Sequence, residues 1–230
     1  IYSIPIMNPA GVARLTRANA RGIDLNRNSG IRAEKPLPFF GGHSLSALLP
    51  YYRGKTRQRE SRALFRFLYE HVWRRRKKIH MALDIHSGYG ADNFIWWPYA
   101  FSDRAVFQEK AFTSIADALK EKHPAYRFEP MAASYQMHGD LWDYALLEFE
   151  KLQRKVKKKK SLFLPYTFEI GTWQEIKKDP RRLFNRQKIF NPPPESRKAY
   201  LKEHRQMLWD FIHLYAQRTK RREFLKTIQA

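Results

Sequence analysis

The 230 residues contain no cysteine, which excludes disulfides and any thiolate metal site; a metal here would have to be held by histidine and carboxylate. No apolar run approaches the ~20 residues that a membrane helix needs, so no membrane span is expected. Acidic side chains are scarce: 22 Asp and Glu stand against 44 Lys and Arg, for a net charge of +22. Charge of that size attracts polyanions, but no nucleic-acid motif accompanies it, and nucleic acid is not the expected partner. The charge is uneven, with runs at residues 53–62, 74–78, 151–160 and 218–222, which read as solvated helix faces and an exposed connection. The chain opens Ile-Tyr-Ser-Ile-Pro-Ile-Met, without an initiator methionine, a basic n-region or a small-residue cleavage site, so it does not begin like a signal peptide. The compartment stays open.

Hydrophobic content of 43% and aromatic content of 15% are enough for one sizeable core, and residues 1–230 are read as a single α/β domain. Residues 1–7 look like a short buried strand closed by the turn signal Asn8-Pro9. Residues 29–54 are rich in Gly and Pro and read as a surface loop. Apolar spacing of three and four predicts a helix over 58–78, with Ala63, Leu64, Phe67, Leu68, His71 and Val72 on one face. Residues 79–85 alternate as a strand that sends Asp84 and His86 to the same side. A second strand is expected over 93–100, a helix capped by Asp103 and running to about Lys120, a helix over 141–151, and a strand over 161–170 with Thr167 and Glu169 on one face. The last helix, about 195–217, carries Tyr200, Leu201, His204, Met207, Leu208, Phe211 and Ile212 on one stripe. Strands alternating with helices predict a three-layer arrangement, a mostly parallel or mixed sheet flanked by helices.

Three places carry chemistry. Residues 17–28, Arg-Ala-Asn-Ala-Arg-Gly-Ile-Asp-Leu-Asn-Arg-Asn, set arginines and an asparagine in one short polar stretch, and an arginine fork with an adjacent amide can hold a carboxylate. His86 ends a strand and is followed by the small residues Ser87 and Gly88; a lone strand-end histidine is more often structural than a ligand. Glu169 lies between apolar neighbours, where a carboxylate needs a partner or a function; burial would raise its pKa and suit it to general-base work, while a structural ion pair is the plainer alternative.

Asn8-Pro-Ala-Gly, the 17–28 stretch, Tyr51-Tyr-Arg-Gly, Leu83-Asp-Ile-His-Ser, Tyr135-Gln-x-x-Gly-x-x-x-Asp-Tyr and Phe168-Glu-Ile-Gly, in that order, resemble the motifs of the zinc metallocarboxypeptidases from residue 1 to about residue 173. The resemblance implies a zinc-dependent carboxypeptidase that hydrolyses the C-terminal peptide bond of a peptide with a free terminal carboxylate. Position by position, it implies His86 as a zinc ligand and Glu169 as the general base. Arg17 would polarise the scissile carbonyl, Asn26 and Arg27 would grip the terminal carboxylate, and Tyr135 would close over the bound residue. Asp24 would orient a histidine ligand. These residues are expected to meet around a common cleft.

The family also takes two zinc ligands from a His-x-x-Glu motif, and none of the eight histidines here has a glutamate three residues later. The expectation is one Zn2+ whose other two ligands lie in a further N-terminal segment of the natural protein. With His86 as its only matched ligand, the 230-residue chain is expected to bind zinc weakly and to be inactive alone. Trp142, seven residues after Tyr135, matches the base of the side-chain pocket and disfavours a basic side chain. The lysine-rich run at 151–160 would favour acidic peptides if it rims the cleft. Two other readings stay open: an amidohydrolase of the aspartoacylase and succinylglutamate desuccinylase branch, and an inactive basic module that binds polyanions through the same fold.

Overall fold

The computed structural model describes residues 1–75, 79–88, 93–155, 161–171, 173–184 and 193–216. In chain order the elements are α1 (Pro9–Arg14), a 3-10 turn (Leu25–Arg27), α2 (Arg59–Phe67) continued by a π-helical stretch (Leu68–Trp73), β1 (Ile79–Gly88), β2 (Asn93–Trp97), α3 (Glu109–Lys120), β3 (Tyr126–Pro130), α4 (Met131–Ser134), α5 (Leu141–Lys155), β4 (Leu162–Gly171), α6 (Trp173–Lys178), a 3-10 turn (Pro180–Phe184) and α7 (Arg197–Ala216). Among the described residues, four strands form one mixed sheet in the order β1-β4-β2-β3, accompanied by helices, as the α/β reading expects. β2 and β4 run antiparallel, with Phe94 opposite Glu169 and Trp96 opposite Thr167.

The chain divides into two compact units, residues 1–81, 98–105 and 130–165, and residues 82–97, 106–129 and 166–230. The first is built around α5. Leu141, Trp142, Ala145, Leu146 and Phe149 recur at helical spacing and are all buried, which turns one face of α5 inward. Against it lies Phe163, fully buried, with its ring 5.4 Å from Trp73, 5.5 Å from Phe149 and 6.3 Å from Trp142. Aromatic rings at these separations add edge and offset-stacking attraction to their hydrophobic burial. In the second unit α3 repeats the pattern through Ala111, Phe112, Ile115, Ala116 and Leu119. Tyr166 packs on Phe112 at 5.2 Å and on Phe211 at 5.2 Å, and its hydroxyl donates to the Phe112 carbonyl.

Several elements differ from the sequence reading. Residues 1–7 form no strand and Ile1, Tyr2, Ile4 and Ile6 are exposed; Pro5 offers no backbone donor, and no described strand pairs with them. Asn8-Pro9 starts a helix instead of a turn: the Asn8 side chain accepts from the Gly11 amide and Pro9 takes the first helical position. Asp103 does not cap α3, which begins six residues later at Glu109; the carboxylate instead accepts from the Gln136 amide. β3 had no clear alternation to announce it. In α7 the inward stripe runs through Tyr200, His204, Met207, Phe211 and Leu214, so Leu201, one position round the helix, is 70% exposed. Residues 76–78, 156–160 and 217–230, with all of the expected basic run at 218–222 and parts of those at 74–78 and 151–160, lie outside the described residues. Among the described residues, no helix is long and apolar enough to cross a membrane.

Truncating the buried ring of Phe163 leaves a cavity lined by three other aromatic rings. Phe163→Ala is expected to cost about 3–5 kcal/mol in urea unfolding. A loss below about 1 kcal/mol would show that this cluster is not the core of its unit.

Candidate functional site

The 17–28 stretch folds around Asp24. Its backbone N–H donates to the Tyr52 carbonyl at 2.8 Å, and one carboxylate oxygen caps the 3-10 turn by accepting from the Asn26 amide at 3.0 Å. The other oxygen accepts from Arg17 Nε at 2.6 Å. Burial pushes the Asp24 carboxyl upward, but Arg17 and then Arg27 outweigh it and hold the group below its ordinary range. The same pair raises Arg17 against the opposing effect of its own burial.

Arg27 is treated differently. It is only 3% exposed, and its guanidinium meets neutral oxygens: Nε donates to the Phe40 carbonyl at 3.1 Å, Nη1 to the Asn26 carbonyl at 3.0 Å and Nη2 to the Tyr135 hydroxyl at 3.5 Å. No described carboxylate lies within ion-pair distance of it. Both guanidiniums lie over one ring, Arg17 at 5.0 Å and Arg27 at 5.6 Å from the Tyr51 centroid. Asn26 is half-buried and its side-chain amide has no hydrogen bond among the described residues; Tyr135 is half-buried just after α4. Gly139, at φ 69°, presses on the Arg27 carbonyl where a Cβ would collide, and its own carbonyl accepts from Ser29. Asn28 ties the stretch to residues 53–58 by donating to the Arg53 and Thr56 carbonyls and accepting from the Gln58 amide. Arg17, Asp24, Asn26, Arg27 and Tyr135 are all residues of the first unit.

His86 and Glu169 belong to the second unit. His86 Nε2 is 3.1 Å from Asp84 Oδ2, as expected for two residues on one side of β1, and Nδ1 is 3.3 Å from Glu169 Oε1. Burial works against a charged imidazole here, yet Asp84 and then Glu169 overcome it and raise the group well above its ordinary value. Both ring nitrogens are thus committed to carboxylates, and a zinc ligand needs a free lone pair. Among the described residues no group of three or more His, Cys, Asp or Glu could hold a metal. The donors among the described residues do not by themselves fit a catalytic zinc centre. Trp142 is buried beside Phe163 in the core of the first unit.

Two residues have no role in the sequence reading. Tyr51, held at φ 67°, supplies the shared ring. His138 accepts the Ala33 N–H at Nδ1 (2.9 Å), which leaves its proton on Nε2, and Arg53, Arg32 and Arg27 surround it electrostatically. Burial first, then those three arginines, push the His138 imidazole down to about 4.

The unfolded chain therefore binds more protons at this residue than the folded one between about pH 6.5 and about pH 4. Its stabilising contribution is complete above that window and is lost as pH falls through it. His138→Asn keeps an acceptor for Ala33 but cannot titrate, so urea midpoints measured from pH 7 to pH 4.5 should fall less steeply than in the parent chain. Identical slopes would contradict this placement of His138.

The family model described as zinc carboxypeptidase matches residues 1–206. No curated protein matches the chain. Among solved structures, the chain is similar to bovine thrombin-activatable fibrinolysis inhibitor in complex with tick carboxypeptidase inhibitor, at 20% identity and TM-score 0.45, over 67% of this chain and 47% of that one. It is also similar to a second structure of thrombin-activatable fibrinolysis inhibitor, at 20% identity and TM-score 0.44, over 67% of this chain and 35% of that one. The chain thus spans less than half the length of either. With the family model matched across most of its residues, this chain belongs to the zinc carboxypeptidase family.

Proposed function

We propose that this chain carries the carboxylate-recognition and proton-transfer residues of a carboxypeptidase acting on peptides with a free C-terminus, and that the 230-residue polypeptide alone binds such peptides without cleaving them. The observation that carries the reading is the charge balance around Tyr51: among the described residues, two guanidiniums and a single carboxylate, with that carboxylate already spent on Arg17. The surplus positive charge rests on Arg27, whose neutral partners a carboxylate would outcompete, since charge-assisted hydrogen bonds are roughly twice as strong as neutral ones. The free side-chain amide of Asn26 offers a second donor on the adjacent residue. Tyr135, in reach of Arg27, is the group that would cover a bound terminal residue.

For hydrolysis, Arg17 is assigned to the developing oxyanion and Glu169 to the proton of the attacking water. His86 Nδ1 lies 3.3 Å from the Glu169 carboxylate, the group that would accept that proton. Zinc is the family's cofactor, but the donors here do not complete a zinc site, and no step is assigned to it. That same shortage supports the second half of the proposal, binding without turnover.

The test uses the full chain with one short peptide as free acid and as C-terminal amide. Calorimetry should show the free acid bound at least about tenfold more tightly, the scale of one hydrogen bond to a charged group, and Arg27→Gln should remove the difference. Equal affinity for acid and amide would refute carboxylate recognition. Release of the C-terminal amino acid above background with zinc added would refute the inactivity of the isolated chain while leaving the recognition intact.

A further inference from the structure

His138 sits inside a second concentration of positive charge, on the same loops that hold Arg27. Its backbone N–H donates to the Gly41 carbonyl, its ring accepts from Ala33, and the next residue, Gly139, donates to the Ile31 carbonyl. Those bonds set His138 beside Arg32. Arg53 is brought to the same loops by its own N–H, which donates to the His43 carbonyl, and by its guanidinium, which donates to Ser44 Oγ at 2.7 and 3.1 Å. Gly42, at φ 102°, lies against the Arg27 side chain, where a Cβ would stand 3.0 Å from Cδ. The result is graded from buried to exposed: Arg27 inside, His138 and Arg53 half-buried, Arg32 and Ser44 at the surface.

None of Arg27, Arg32 and Arg53 has a carboxylate within ion-pair distance among the described residues. The like charges are close enough to act on one another: burial and then Arg32 lower Arg53 below its ordinary value. Like charges gathered without a counter-ion destabilise a fold unless something anionic joins them. A fork-shaped guanidinium pair with an imidazole N–H and a hydroxyl suits a carboxylate, with donors arriving from several directions.

We infer that Arg32, Arg53, His138 and Ser44 form a second anion subsite that takes an acidic side chain near the C-terminus of the peptide whose terminal carboxylate Arg27 binds. The inference rests on the proposed carboxylate recognition by Arg27 and adds to it a preference for Glu or Asp over their amides. It needs no residue of the lysine-rich run at 151–160.

The test compares Ala-Ala-Glu-Glu with Ala-Ala-Gln-Gln, each as free acid and as C-terminal amide, by calorimetry on the full chain. The Glu-Glu peptide should bind at least about tenfold more tightly than its Gln-Gln isostere, and the ratio should fall toward one in Arg53→Gln and in Arg32→Gln. Arg32 is exposed, so that variant keeps the experiment readable if Arg53→Gln fails to fold. A ratio near one in the parent chain, or a ratio that neither substitution changes, would overturn the subsite. Loss of the acid-over-amide difference with the Glu-over-Gln ratio kept would instead refute the reading of Arg27 and leave the second subsite standing.

Discussion

A buried arginine whose guanidinium meets only carbonyl and hydroxyl oxygens among the described residues is the constraint around which the loops of the first unit are organised, and in this chain it is Arg27. A buried charge without a partner ion costs several kcal/mol, about 3–5 when a pair is broken by removing one member. The surrounding main chain lowers that cost through carbonyls aimed at the fork, and Tyr51 adds the negative face of its ring. Gly139 is required because the chain passes too close to the Arg27 carbonyl for any side chain, and Gly42, packed on the Arg27 side chain, because its φ of 102° suits glycine. Asn28, the next residue, fastens the assembly to residues 53–58. So many local devices devoted to one unpaired cation make sense when an anion completes it.

Asp24 shows the complementary arrangement. It gives one oxygen to Arg17 and the other to the Asn26 amide, so a single carboxylate both closes the turn and orients a cation. Arg17, the more exposed of the two arginines, is balanced by Asp24, whereas Arg27 has no carboxylate within ion-pair distance among the described residues. In the second unit the signs are reversed: two carboxylates, Asp84 and Glu169, hold one imidazole. That triplet ties up both nitrogens of the histidine that resembles a family ligand.

Much of this was legible in the sequence wherever the signal was local. Alternation along residues 79–86 put Asp84 and His86 on one side, and they touch. Helical spacing located α5 and α7 to within a few residues. The stretch at 17–28 announced a cluster of arginine, asparagine and aspartate because all of its members are close in the chain. Contacts between residues far apart were not legible: no pattern in residues 29–54 could say that Arg32 and Arg53 would gather round His138, about a hundred residues on. Asp103 is a good cap by type, yet Gln136 claims it. Leu201 fits an apolar stripe by spacing and still faces solvent, since two candidate stripes one residue apart cannot both turn inward.

The account depends on Arg27 being held ready for a carboxylate. In the full chain labelled with 15N-arginine, the Nε–H signal assigned to Arg27 by its absence in Arg27→Gln is expected to exchange slowly with water. It should shift saturably when a short free-acid peptide is added and stay in place with the corresponding amide. A signal that neither peptide moves, while exposed arginines respond to both, would contradict the account.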